Sequence, residues 1–226
     1  MERIRLLGVE TSSPVFSVAL CDGGHVVNSM RVTDARRPDA VLADMIQKVT
    51  TSAGLKLSGL DGFAISIGPG SFTGLRVGVT TVKTMAWALH KPVLPVSSLE
   101  VIAQNHLGSS HPISLFLDAR KGKVYTALFG SGDLKRLTDD QLMAPQDALK
   151  KMPEDALLVG DGLQRYEELV VSGGGRWEIA PASTWIPSAE HLCRLAISRW
   201  PRGRVDDPHT LVPEYLYSKE SDITGR

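Results

Sequence analysis

The sequence predicts an α/β protein built of two similar lobes, and three observations carry that expectation. Apolar stretches with strand-like alternation are interleaved with stretches whose apolar residues recur at helical spacing. The order strand, strand, strand, helix, strand, helix occurs twice, as element order and not as repeated residue identity, and the two series meet near residues 100–110. Composition is that of an ordinary globular chain: of 226 residues, 42% are hydrophobic and 22% charged, which excludes disordered and fibrous classes. The expected division is an N-terminal lobe at 1–105, a C-terminal lobe at 106–212 and a tail at 213–226.

Ile4 to Val9 is an apolar run that stops at Glu10-Thr11-Ser12-Ser13-Pro14. Val15 to Leu20 and His25 to Val32 follow, separated by Asp22-Gly23-Gly24, so the three read as an antiparallel meander. The first strand is expected at the sheet centre, because it is apolar on both faces. After Pro38, Val41, Leu42, Met45, Ile46 and Val49 recur at helical spacing up to Gly54. Phe63 to Ile67 is a buried strand, a second helix runs from Thr73 to His90 before Pro92, and Val93 to Val96 is a short strand. Ser97-Ser98 with Glu100 opens a helix. The second series has strands at Ile113 to Leu117 and Val124 to Phe129, a helix at Pro145 to Met152, a strand at Ala156 to Val159 and helices at Leu163 to Val171 and Ser188 to Trp200.

Between the strand ending at Ile67 and the helix after it stands Gly68-Pro69-Gly70-Ser71-Phe72-Thr73-Gly74. Pro69 fixes φ, the glycines accept backbone angles and close approaches that other residues resist, and Ser71 and Thr73 are natural helix N-caps. A helix N-terminus so placed suits an anion. Yet no Gly-Lys-Ser/Thr follows, and the gap from Gly70 to Gly74 is one residue too long for Gly-x-Gly-x-x-Gly. A ligand loop and a tight strand-to-helix connection both remain open, and the local pattern favours the connection.

Lys+Arg and Asp+Glu both number 25, so there is no overall pull on nucleic acid. Arg31, Arg36 and Arg37, and Arg199, Arg202 and Arg204, form small basic clusters that read as solvated faces. The two cysteines, Cys21 and Cys193, have no metal-binding spacing and suggest a reducing compartment, the cytoplasm. No apolar run reaches membrane-spanning length, and no signal-peptide core follows Arg3 and Arg5.

Gly8-Val9-Glu10-Thr11-Ser12 together with Gly68 to Gly78 resembles the TsaB family, also called YeaZ. The likeness extends through Pro95-Val96-Ser97-Ser98-Leu99, Asp118-Ala119-Arg120 with Val124-Tyr125, and the late Pro213-Glu214-Tyr215-Leu216. The resemblance implies the actin, sugar kinase and Hsp70 (ASKHA) fold without enzymatic activity of its own. It implies partnership with a TsaD-like subunit and a TsaE-like ATPase, which together form threonylcarbamoyladenosine at position 37 of tRNAs reading codons that start with A. ATP and metal are then expected on those partners, tRNA only through the assembled complex, and a homodimer when the chain is alone. The catalytic paralogue carries a His-x-x-x-His metal pair on its first helix, where this chain has Arg36-Arg37-Pro38-Asp39-Ala40-Val41.

On this resemblance Glu10, Thr11, Ser12, Gly68, Gly70, Ser71 and Gly74 form a candidate degenerate nucleotide loop, with no catalytic and no metal residue assigned. Glu10 ends the first strand where phosphotransferases of this superfamily hold an acidic residue; on the residues alone it reads as a carboxylate capping the Thr11-Ser12-Ser13 turn. Asp118 ends a strand of the second lobe in the same way. Val41, Met45, Val49, Met85 and Trp87, on the two N-lobe helices, form the expected partner or dimer surface, because together they exceed what one sheet needs to cover it. The alternatives are an ATP-dependent kinase-like enzyme of the same fold and a glycoprotease-like peptidase, for which no Ser/His/Asp arrangement can be assigned.

Overall fold

The computed structural model describes residues 3–33, 38–200 and 208–217. Among them the chain runs β1 (Arg5–Glu10), β2 (Val15–Asp22), β3 (His25–Thr33), α1 (Pro38–Ser52), β4 (Gly62–Gly68), α2 (Phe72–Leu89), β5 (Val93–Ser97) and α3 (Ser98–Ala103). It continues with β6 (Ile113–Arg120), β7 (Lys123–Phe129), β8 (Gln141–Met143), α4 (Pro145–Lys151), β9 (Leu157–Val159), α5 (Gly162–Arg165), α6 (Glu167–Ser172), β10 (Glu178–Ile179) and α7 (Ala189–Arg199).

The strands form two five-stranded sheets, ordered β3-β2-β1-β4-β5 and β10-β9-β6-β7-β8. Written in reverse, the second is the first repeated. In each, the opening strand is central, antiparallel to its successor and parallel to the strand that follows the first helix. The repeated element order therefore holds. Two short strands, β8 and β10, escape the sequence reading because three and two residues are too few to show alternation.

Why Leu6 to Val9 of β1 are apolar on both faces becomes clear from what covers them. Leu7 and Val9 join Val18, Phe63 and Ile65 under α1 and α2, which contribute Leu42, Met45, Ile46, Val49, Val79, Val82 and Ala86. On the other face Leu6, Ala64, Leu94 and Val96 lie against Leu192 and Ala196 of α7. Gly8 admits α7 closely, since a Cβ there would sit 2.6 Å from Cys193 Sγ and 2.9 Å from the Ala189 carbonyl oxygen. Truncating Leu192 would open a void costing about 2–5 kcal/mol.

This corrects the expected lobe boundaries. One compact unit comprises Met1–Val101 with Pro187–Glu214, the other Ile102–Ile186 with Tyr215–Arg226. The break after residue 101 falls near the expected one at 105, but α7 belongs with the first sheet, whose second apolar face otherwise lacks a cover. Of the expected tail at 213–226 the described residues end at 217, and Glu214 among them joins the first unit, its amide donating to the Ile67 carbonyl at 2.7 Å; just before it, Leu211 lies in the first core and Lys83 Nζ donates to the carbonyls of His209 and Leu211.

The second core gathers Phe116, Val124, Ala148, Leu158 and Leu163. The single helix expected at Leu163 to Val171 is two, α5 and α6, parted at Tyr166, where φ is −117° and ψ 32°. Tyr166 meets Phe116 edge-on, with ring centroids 6.3 Å apart.

Candidate functional site

Glu10, the last residue of β1, is fully buried. Its Oε1 accepts from the Ser12 amide at 2.7 Å and the Ser12 hydroxyl at 2.6 Å, and its Oε2 accepts from the Ser66 hydroxyl. Burial pushes its pKa up, and these three hydrogen bonds oppose the shift. The carboxyl thus closes its own turn. Every donor is a neighbour in the fold, which is the capping role that the turn sequence suggests. Ser66 was missed at the sequence level, although a serine within an otherwise apolar strand was a visible signal.

The glycine loop lies directly on that turn. The Ser71 amide donates to the Ser12 carbonyl at 2.7 Å, and the Ser71 side chain caps α2 by accepting from the Gly74 amide at 3.3 Å. A Cβ on Gly70 would stand 2.3 Å from the Ser12 carbonyl oxygen, and one on Gly74 2.0 Å from that of Thr11. Gly78, one turn further along α2, repeats the contact at 2.1 Å from Thr11 Oγ1, a buried atom with no hydrogen-bond partner among the described residues. A Cβ on Gly68, whose φ is 117°, would stand 2.9 Å from the Glu214 carbonyl oxygen. The structure therefore brings Glu10, Thr11, Ser12, Gly68, Gly70, Ser71 and Gly74 together, and what fills the space above the turn is the backbone of α2.

Asp118 is similarly engaged. Its side chain is 7% exposed, and its oxygens lie 3.3 Å from Arg120 Nη1 and 3.5 Å from Arg165 Nε. Among the described residues, no group of three or more His, Cys, Asp or Glu side chains is placed to hold a metal ion. Arg36, Arg37, Arg202 and Arg204 lie outside the described residues, so the basic clusters are represented by Arg31, 3.7 Å from Glu190, and by Arg199, bonded to Glu100.

The expected partner surface needs correction. Met45 and Val49 are core residues, 1% exposed, and Val41 and Met85 are partly buried against the same core. The reason is the width of the sheet: α1 lies over β2 and β3, and the core it shares with them takes up its apolar stripe. Trp87 is exposed, at 58%, as its position off the stripe suggests. It shares the outer side of α2 with Phe72, 57% exposed, whose ring carries the Arg76 guanidinium 5.2 Å above its centroid. Positions 72, 76, 80 and 87 recur at helical spacing on one stripe. Phe72 was missed because it read as part of the loop.

Strand order and site define a class: an α/β protein of the actin, sugar kinase and Hsp70 type whose β1 carboxylate is occupied by its own chain. Comparison with known proteins makes the class specific. A family model described as TsaD, tRNA N6-adenosine threonylcarbamoyltransferase, matches residues 34–180. The tRNA threonylcarbamoyladenosine biosynthesis protein TsaB of Bacillus subtilis is 30% identical over 224 residues, 96% of each chain. YeaZ from Pseudomonas aeruginosa superposes with a TM-score of 0.82 at 30% identity, covering 94% of this chain and 100% of that one. A Pseudomonas aeruginosa structure described as having similarity to peptidase YeaZ gives 0.84 at 28%, over 95% of this chain and 100% of its own. The chain belongs to the TsaB (YeaZ) family.

Proposed function

We propose that this chain is a non-catalytic partner subunit in the formation of N6-threonylcarbamoyladenosine at position 37 of tRNAs that read codons starting with A. Its partners are a TsaD-like transferase and a TsaE-like ATPase, which carry the metal and the nucleotide, and its compartment is the cytoplasm. The name borne by the Bacillus subtilis relative supports the pathway. The observation that carries the non-catalytic reading is the closure of Glu10: its two oxygens receive three hydrogen bonds from Ser12 and Ser66, and the glycine loop meets the turn without room for a Cβ. A phosphotransferase of this fold needs a carboxylate open to a metal-bound phosphate. This one faces inward.

Association is assigned to the outer side of α2. Large aromatic side chains on an exposed helix face belong to interface centres, and Phe72 and Trp87 are such a pair. The same surface serves a homodimer when the chain is alone, and the TsaD-like subunit displaces it. Sedimentation of the pure chain, of Trp87→Glu and of each mixed with a TsaD-like subunit tests this. Dimer and heterodimer should both weaken in a folded variant; unchanged association of folded Trp87→Glu would place the interface elsewhere.

A further inference from the structure

We propose that the β6–β7 turn, with the Tyr217 ring beneath it, is a contact surface for the phosphodiester backbone of RNA; this rests on the tRNA reading above and names the surface through which the chain takes part in it. β6 and β7 are joined by Lys121-Gly122, flanked by the pair Arg120 and Lys123. Three successive residues lie in the left-handed region, with φ of 64° at Arg120, 49° at Lys121 and 69° at Gly122. Both residues of the connection thus have positive φ, the arrangement for which Asn-Gly is best suited. Arginine and lysine pay a steric cost there that asparagine or glycine would not. A Cβ on Gly122 would meet nothing within 4 Å, so the tip stands in open space and crowding does not impose the shape. Strain of this kind is retained where a side chain is needed in its place.

What the strain displays is positive charge. The Arg120 side chain is 79% exposed and that of Arg165 50%. Lys121 Nζ and Lys123 Nζ stand 5.8 and 5.6 Å from the centroid of the Tyr217 ring, held there as cation–π pairs. Tyr217 is itself fixed: its hydroxyl bonds the carbonyls of Ala119 and Arg120, each at 3.0 Å, and Tyr125 meets its ring edge-on at 6.4 Å. Asp118, 7% exposed, holds Arg120 and Arg165 from below, and Asp161 Oδ1 accepts the Asp118 amide at 2.9 Å. A buried carboxylate that fixes two guanidiniums while leaving much of each in water presents their planar forks to phosphate oxygens. With 25 cationic and 25 anionic residues the chain has no general affinity for RNA, so these four side chains act by place and supplement what the partner subunit binds.

The test measures a labelled tRNA transcript binding to the assembled complex of this chain with its TsaD-like partner, by fluorescence anisotropy across a salt series. The Lys121→Ala/Lys123→Ala double variant should bind about tenfold more weakly and show a slope of log affinity against log salt shallower by about one for each lysine removed. Lys121→Asn suits the turn better, so it should melt at a higher temperature than the native chain while binding tRNA several-fold more weakly, an opposition that general unfolding cannot produce. Unchanged affinity and slope in folded variants that still join the partner overturn the proposal, as does ATP at millimolar concentration displacing tRNA from the native turn alone, which would assign it to nucleotide phosphates. A native complex that forms no modified nucleoside at all fails the function itself; a double variant that forms it at the native rate and holds tRNA as tightly fails only this surface.

Discussion

Gly74→Ala asks whether the space above the β1 turn is closed. The added methyl would begin 2.0 Å from the Thr11 carbonyl oxygen, against the roughly 3.2 Å or more that such atoms keep, so α2 or the turn must move by about 1 Å. Thr11 is fully buried, and its neighbour Ser12 is tied to Glu10 and Ser71, so neither side gives way freely. In an open helix the same substitution would gain up to about 1 kcal/mol. Overpacking of about 1–3 kcal/mol opposes that gain, and the buried backbone oxygen puts this site at the upper end, for a net loss of roughly 1–2 kcal/mol. For a chain of this length each kcal/mol lowers the melting temperature by about 2–4 °C. Gly59→Ala is the control, because its Cβ would come no nearer than 3.8 Å to Leu55, and a change within about 0.5 kcal/mol is expected. Thermal unfolding followed by circular dichroism compares the two. If Gly74→Ala melts with or above the native chain, the turn has room over it, and the argument that α2 closes the space above the turn fails.

Glu10→Gln probes the same joint through pH. Because burial raises the folded-state pKa of Glu10, its contribution is fully present below the ordinary carboxylate value of 4.5 and is lost as pH rises through the higher folded value. The stability of Glu10→Gln relative to the native chain should therefore improve from pH 4.5 upward, and a constant difference in denaturant midpoints across that range would contradict it. On the outer side of α2, Trp87→Glu and Phe72→Glu should keep the native melting behaviour and weaken association, whereas Met45→Glu puts a charge in the core and should fail to fold, as circular dichroism will show. The pure chain should release phosphate from ATP no faster than buffer and retain no stoichiometric Zn²⁺ or Fe²⁺ after dialysis, read by a phosphate assay and metal analysis. Turnover abolished by Glu10→Ala would return the site to catalysis.

Much of the fold was legible because its signals are local. β1 shows its central position in the apolar residues Leu6 to Val9 on both its faces, and α1 and α2 show theirs in helical spacing. What stayed hidden depends on distant partners. The covering of the Leu6 and Gly8 face by α7 joins residues more than 180 positions apart, and only the two-faced apolarity of β1 hints that a cover must exist. At the site, the glycines announced a close approach without saying to what; it is the backbone of Ser12 and Thr11 that Gly70 and Gly74 approach. Met45 and Val49 were assigned to an interface because stripe width can be counted in a sequence while sheet width cannot.

The central claim is that this chain is required for the tRNA modification and performs none of its chemistry. Its most direct test is a reconstituted reaction with the TsaD-like and TsaE-like subunits, threonylcarbamoyl donor and tRNA transcript, scored by mass spectrometry of the nucleosides. Omitting the chain should abolish N6-threonylcarbamoyladenosine, restoring it should recover the product, and the chain alone with donor and tRNA should give none. Full product without the chain, or product from the chain alone, would contradict the account.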